Sequence, residues 1–301
     1  MSKKAIIEKT AKGIFLICAV IAIFAVCAIT FYMFVKGTPA LKEVGVFDLL
    51  FGNVWKPTAS EPSYGILYII LASLVGTAFS ILIGVPIALL TAVFLSEMAG
   101  KKIGSIVGGA VELLAAIPSV IYGLIGMMVL NPIMYKFEKI IFENDSSHQF
   151  TAGANMLSAI IVLAIMILPT VISVSTSSLK AVLDNIRAAS FALGATKIQT
   201  IFKAVIPSAK SGILTGVVLG IGRALGEAMA INMVAGGAVN IPLPFNSVRT
   251  LTTQIVSEMG YASGLHRQVL FTVGLVLFIF IMIVNFILLK ARKRGESNGN
   301  K

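Results

Sequence analysis

The chain has 301 residues, 57% of them hydrophobic and only 12% charged, with a formal charge of +11 and a mean hydropathy of +0.96. Soluble domains carry about twice that share of charge, and the apolar residues recur in runs of roughly 20, the length a helix needs to cross a ~30 Å hydrocarbon core. A soluble globular domain is excluded, and the chain reads as an all-α polytopic membrane protein.

Six spans are predicted, at about Ile14–Val35, Ile66–Phe94, Ile103–Met134 (broken at Pro118), Met156–Val174, Gly212–Val234 and Val269–Leu289. The first is too long for the apolar core of a typical secretory leader, and no A-x-A site follows it, so it is expected to stay as an anchor. Cys18 and Cys27 fall too far apart on that one helix to bridge each other and read as small apolar residues. With the amino terminus inside, inner segments hold 16 of the 24 lysines and arginines, outer segments hold 7, and Arg223 falls within a span. The positive-inside rule then places both termini in the cytoplasm. Topology accounts for the basicity, so membrane lipid is an expected partner and nucleic acid is not.

Among the outer loops, the first carries Trp55 beside Pro57, an expected headgroup anchor. The second holds His148. The third holds His266 and RTLTTQIVSEMGYASG, where Leu251, Ile255 and Met259 predict a short amphipathic helix. Neither histidine has Cys, Asp or Glu at metal-site spacing, and both read as surface residues. No HExxH, GxSxG or Walker A sequence occurs, which leaves catalysis without a constellation.

The long inner segment, SSLKAVLDNIRAASFALGATKIQTIFKAVIPSAK, reads as two helices broken at Gly194, since glycine accepts the positive φ that ends a helix. Val182, Leu183, Ile186, Ala189 and Leu193 are predicted to share one apolar face of the first. Thr196 and Gln199 form a capping box for the second, which Pro207 ends before the fifth span. Such a pair either lies on lipid or docks a cytoplasmic partner, and both readings stay open.

The fifth span contains GIGRALGEAMAI, with Arg223 near its middle and Glu227 one turn on. At i, i+4 the two would be neighbours, forming either an ion pair that staples the bundle or the lining of a polar route. Each charge costs about 2.5–3.5 kcal/mol on insertion scales, which favours a route. Gly212, Gly216 and Gly220 form one row of small residues, and Gly222 with Gly226 another, both suited to close helix approach. A guanidinium fork recognises oxyanions. A carboxylate beside it repels a fully deprotonated anion but accepts from one that keeps an O–H, so hydrogen phosphate suits the pair better than sulfate. Glu112, in AVELLAAIPSVIYGLIG, is a possible companion on the third span or a group at the inner headgroup level. Pro118 frees carbonyls there that need protein or a cavity to satisfy them.

The inner loop resembles the signature of bacterial ABC importer permeases: Glu-Ala-Ala, three residues, Gly, then a hydrophobic-Pro pair thirteen residues beyond the Gly. Ala189, Gly194 and Pro207 match it, while Ala188 and Ser190 replace the usual glutamate and second alanine. ELLAAIPSVIYGLIG, GRALGEAMAI and RTLTTQIVSEMG, with YGILYII before them, are similar to PstC-type permeases of phosphate importers over most of residues 64–275. The resemblance implies a type I (MetI-like) importer fold with six transmembrane helices, both ends inside, in a bacterial cell membrane. Residues 1–63 would be an anchor helix and first outer loop, 64–290 the permease core with its coupling loop at about 175–211, and 291–301 a basic tail. It further implies a second permease (PstA type), two ATPase subunits (PstB type) and an extracytoplasmic phosphate-binding protein (PstS type). ATP and Mg would sit on the ATPase, with no cofactor on this chain, and the ATPase would dock around Ala189, Gly194, Ala195 and Pro207. Arg223, Glu227 and Glu112 would line the substrate pathway, with Gly216, Gly220, Gly222 and Gly226 packing helices. Kept beside it are a permease for sulfate or molybdate and an ion-coupled secondary transporter with Glu227 as proton carrier.

Overall fold

Inside a bilayer each backbone N–H and C=O must find its partner within protein, and long apolar segments meet that demand as helices. A computed structural model of the chain describes residues 3–299. It opens with α1 (Lys3–Glu43) and α2 (Val46–Phe51), followed by a two-stranded hairpin, β1 (Trp55–Lys56) with β2 (Ser63–Tyr64). Then come α3 (Leu67–Met98), α4 (Lys101–Ala116), α5 (Ser119–Ile141) and α6 (Met156–Lys180). The next segment forms α7 (Asp184–Ala192) and α8 (Lys197–Ser208), and the chain continues as α9 (Lys210–Gly226), α10 (Met229–Val234), α11 (Leu251–Glu258) and α12 (Gly264–Gly299). Among the described residues, α1, α3, α5, α6 and α12 are each long and apolar enough to cross a membrane; counting the bent pair α8–α9, which meets at 71°, makes six. The face carrying α7 and α8 is called lower here, the other upper.

Two predicted spans differ in detail. The third is two helices, because Ile117 and Pro118 are extended at the break. The Tyr122 hydroxyl turns back across it and donates to the Leu114 carbonyl at 2.7 Å. The fifth is not continuous: α9 stops at Gly226, Glu227 is extended (φ −72°, ψ 127°), and α10 starts at Met229.

Helix α6 is central. In its most apolar stretch 61% of residues are buried, against none for α1. Met156, Ile160, Leu163, Met166 and Ile167 of α6 pack with Ala72, Ala224, Ile231 and Val234. Small residues set the spacing. At Gly84 a Cβ would stand 2.8 Å from Ile167 Cδ1, and at Gly220 it would stand 2.7 Å from Val171 Cγ2. At Gly216 it would meet Val174 at 3.2 Å, so the 212–216–220 row rests on α6. The second row differs: among the described residues, Gly222 and Gly226 have nothing within 4 Å of a Cβ, and no helix seats on them. Helix α1 lies at the edge against α12, where Thr272 donates to the Gly37 carbonyl at 2.8 Å and Tyr32 meets Phe271 edge-on.

Gly220→Val forces apart α6 and α9, and overpacking of this kind costs about 1–3 kcal/mol. Detergent-solubilised protein carrying it should melt several degrees below wild type by thermal-shift size exclusion, whereas Gly222→Ala should melt with wild type.

Candidate functional site: a broken-helix centre with a lower groove

The two breaks lie side by side. Helix α10 packs on α5, and both glycines of α5 at this contact are needed: a Cβ on Gly123 would lie 2.9 Å from Ala230 Cα, and one on Gly126 2.6 Å from Val234 Cγ1. Breaking α9 exposes backbone groups that the surroundings satisfy locally. Glu227 Oε1 accepts from the Ala230 N–H at 2.9 Å, and the Glu227 carbonyl accepts from the Thr252 hydroxyl at 2.7 Å. Glu227 is buried.

Arg223 sits on the last turn of α9, half-buried. Extension of the chain at Glu227 carries the carboxylate away, so the stapling ion pair allowed by the i, i+4 spacing does not form among the described residues. The guanidinium has five N–H donors and gives one, from Nη1, to Thr170 Oγ1 of α6 at 3.3 Å. Discontinuous helices are a common place for polar sites in membrane transporters. Glu112 is placed elsewhere: it is exposed on α4 and lines a cavity of about 520 Å³ with Lys101 and Lys180, sharing no hydrogen bond with Arg223 or Glu227.

On the lower face α7 and α8 meet through Gly194, whose φ of +82° suits glycine. The Thr196–Gln199 capping box starts α8 as its residues foretell. Helix α7 begins only at Asp184, so Val182 and Leu183 lie outside it and the expected apolar face is shorter. What remains is open: Leu193 is 89% exposed. Ala189, Gly194 and Ala195 line a groove of about 510 Å³ with Ile186, Leu193 and Gln199. Pro207 is at the far end of α8, outside it. Ser190, where the importer signature has alanine, is hydrogen-bonded to the Thr200 hydroxyl at 2.9 Å and locks the two helices together.

Sequence reasoning missed the residue that ties this hairpin to the bundle. Arg187 donates from Nη2 to Glu97 Oε1 at 2.7 Å and from Nε to Oε2 at 3.2 Å, a bidentate pair. The same side chain donates to the carbonyls of Leu179 and Val182 at the end of α6. Hydrogen bonding to Glu97 holds Arg187 above its ordinary pKa, firmly charged. Glu97 projects from a π-helical turn, Phe94–Met98, that closes α3; such turns often mark functional positions. The signal in the sequence was a lone acid ending an apolar span.

On the upper face both histidines prove to be structural rather than surface residues. His266 is buried and bonds Glu258 Oε2 at 2.7 Å. The Glu258 carboxylate also takes the Trp55 indole N–H at 3.1 Å and Arg249 Nη1, so the polar edge of Trp55 is bound into protein. His148 bonds Glu138 Oε1 at 2.9 Å, and that fully buried carboxylate also accepts from the Thr151 amide at 2.9 Å. No group of three or more His, Cys, Asp or Glu able to hold a metal occurs among the described residues.

A helical membrane bundle with broken spans around a lone arginine, and an open groove on one face, defines a transport permease. Residues 84–294 match the family described as "Binding-protein-dependent transport system inner membrane component", and the chain belongs to that family. It is 39% identical over 282 residues to the probable ABC transporter permease protein YqgH of Bacillus subtilis, covering 90% of this chain and 87% of that one. It is 34% identical to the phosphate transport system permease protein PstC of Pasteurella multocida (79% and 77% covered). The probable PstC of Methanocaldococcus jannaschii is 30% identical (93% and 91% covered). These relatives make it a PstC-type ABC permease, the non-enzymatic, membrane-embedded subunit. The fold is shared with a chain of a bacterial alginate ABC transporter (TM-score 0.62, 16% identical, 93% and 94% covered). It is also shared with a chain of the MetNI methionine transporter (TM-score 0.51, 20% identical, 77% and 94% covered).

A charged hydrogen bond contributes about 1.5–3 kcal/mol. Arg187→Gln should therefore release α7, and amides of residues 184–192 should exchange at least tenfold faster by hydrogen–deuterium mass spectrometry while those of α6 near its middle stay unchanged.

Proposed function

We propose that this chain is the transmembrane permease subunit of an ATP-driven importer of inorganic phosphate, forming the translocation pathway with a second, related permease. The observation that carries the reading is the Arg223 guanidinium at mid-bundle, with one hydroxyl partner and no carboxylate partner among the described residues, one turn from the Glu227 break. Phosphate near neutral pH offers oxygens to the fork and retains a hydrogen for a carboxylate. The phosphate transport assigned to the PstC relatives by name supports the same substrate.

The bias of 16 inner against 7 outer basic residues supports a cytoplasmic lower face and N-in, C-in topology. In that orientation the groove at Ala189, Gly194 and Ala195 receives an ATPase subunit, which carries ATP and Mg, and a phosphate-binding protein delivers from the upper side. Closure of the ATPase pair then moves α7. The bidentate Arg187–Glu97 link passes that movement to α3, and Ser190–Thr200 passes it to α8 and so to α9. Alternating access follows as the α9 break opens to one side and then the other.

Labelled-phosphate uptake in cells lacking the gene, at limiting phosphate, tests this. Wild type should restore uptake and Arg223→Gln should reduce it at least 100-fold at equal membrane abundance by blot. Equal uptake with and without the chain would send the substrate assignment to another oxyanion, and collapse of uptake by an uncoupler at constant ATP would replace ATP drive with ion coupling.

Glu227 separates cap from charge. Gln still accepts the Ala230 N–H, so Glu227→Gln should keep wild-type abundance with uptake lowered about tenfold or more. Glu227→Ala leaves that amide unpaired at a cost of about 1–3 kcal/mol, and both abundance and uptake should fall.

A further inference from the structure

The upper face holds a cavity that no site above uses. It is an open pocket of about 660 Å³ between residues 53–59 of the first outer loop, the 237–239 segment after α10, and the far end of α11. Trp55, Lys56, Thr58, Arg249, Glu258 and Tyr261 supply its chemistry. Charges of both signs meet there, but only the acid is fully answered. The buried Glu258 carboxylate takes three donors, from Trp55, His266 and Arg249 Nη1. Arg249 donates from Nε to the Gly237 carbonyl at 2.7 Å and from Nη1 to Gln254 Oε1 at 3.1 Å and to Glu258. Its Nη2 has no partner among the described residues, and a Cβ on Gly237 would find nothing nearer than that nitrogen, at 4.0 Å. Lys56 is exposed, and no ion pair engages it among the described residues.

The residue types and their connections define what fits. Trp, Tyr and Arg are the side chains that dominate the energy of protein–protein contacts. Here Tyr261 is 65% exposed, and Trp55 and Arg249 are half-buried beside it. The unused donors are cationic, so the complementary group is a carboxylate. The pocket is also tied to the centre of the bundle. Glu258 is the last residue of α11, which is eight residues long. In the first turn of α11, Thr252 donates to the Glu227 carbonyl at 2.7 Å, and the Leu251 amide donates to Ser73 Oγ of α3 at 2.8 Å. Ser257 donates to Asn232 Oδ1 of α10 at 2.9 Å. A pull on Arg249 or Glu258 therefore reaches both sides of the broken fifth span through one short helix.

We propose that this pocket is where the extracytoplasmic binding protein seats an acidic side chain on the permease, and that α11 carries the contact to the Glu227 break. The inference rests on the importer reading and deepens it. The family is described by its dependence on a binding protein, and the unanswered positive charge gives that partner a place and a chemistry. The incoming carboxylate bonds Arg249 Nη2 and Lys56 without displacing Glu258 from Nη1. Lys56 belongs to the hairpin, Arg249 already joins the Gly237 segment to α11, and a carboxylate shared by the two side chains fastens all three segments together. The break then responds to docking as one unit with the upper loops.

The importer assembled with its ATPase in nanodiscs tests this, through ATP hydrolysis measured against the concentration of phosphate-loaded binding protein. Lys56→Glu and Ala238→Trp, both at exposed positions of the pocket, should each raise the half-saturating concentration about tenfold and leave the maximal rate unchanged, while Lys56→Arg should match wild type. Thr252→Val should do the reverse, lowering the maximal rate at an unchanged half-saturation, and Thr252→Ser should restore it. Co-purification of the ATPase checks assembly. The set is run in phosphatidylcholine alone and with phosphatidylglycerol added. A shift in both lipids supports the pocket. An unshifted half-saturation in both pocket variants overturns it, as does a shift seen only with phosphatidylglycerol, which assigns the pocket to a lipid headgroup. A wild-type maximal rate in Thr252→Val overturns α11 as the link. If wild-type hydrolysis responds to a binding protein loaded with another oxyanion and not to the phosphate-loaded one, the phosphate reading fails, and the same titration with that protein still decides the pocket.

Discussion

The structure depends on keeping backbone polar groups satisfied where two spans are interrupted inside the membrane. An unpaired N–H or C=O in hydrocarbon costs several kcal/mol, and each break here creates more than one. The third span is repaired by Tyr122 reaching back to Leu114. The fifth is repaired from two directions, by the Glu227 side chain on Ala230 and by Thr252 on the Glu227 carbonyl. Thr252 belongs to α11, so the upper loop is part of the repair and cannot move independently of the break. The second interruption leaves non-helical backbone one turn from Arg223.

Close packing follows from the same constraint. Half-helices such as α10 are too short to be stable alone, and α10 survives because Gly123 and Gly126 let α5 approach its backbone. The row at Gly212, Gly216 and Gly220 brings α9 equally close to α6, which sets Arg223 within reach of Thr170. Gly222 and Gly226 follow a different logic. Among the described residues they leave open space on the α9 surface next to Arg223.

What was legible in the sequence follows how local the cause was. Apolar runs announced the spans, Pro118 announced one break, and Thr196 with Gln199 announced the start of α8, because each rests on neighbours in the chain. The break at Glu227 was not legible: GRALGEAMAI contains no residue that forbids a helix except glycine, and the group that satisfies the freed carbonyl is 25 residues away. The same distance hid Arg187, whose acid is 90 residues earlier, and made His148 and His266 look like surface residues. In both histidine cases a hint existed, an acid isolated within an otherwise apolar helix face, at Glu138 and Glu258. A buried carboxylate in so oily a chain requires donors, and the unassigned histidines were the nearest supply.

Carboxylates are scarce in this chain, and the buried or half-buried ones are arranged by level. Glu138 and Glu258 gather the upper loops by accepting several N–H and hydroxyl groups at once. Glu227 holds the central break, and Glu97 holds Arg187 at the lower end of α3. In each case the acid accepts from donors on a separate segment or beyond a break, and so joins elements that would otherwise slide. Arg223 is the exception, a buried-level charge that joins almost nothing. Its one bond, to the Thr170 hydroxyl at 3.3 Å, is a long one, so among the described residues Arg223 is the charge that does least to hold the bundle and keeps most of its five donors.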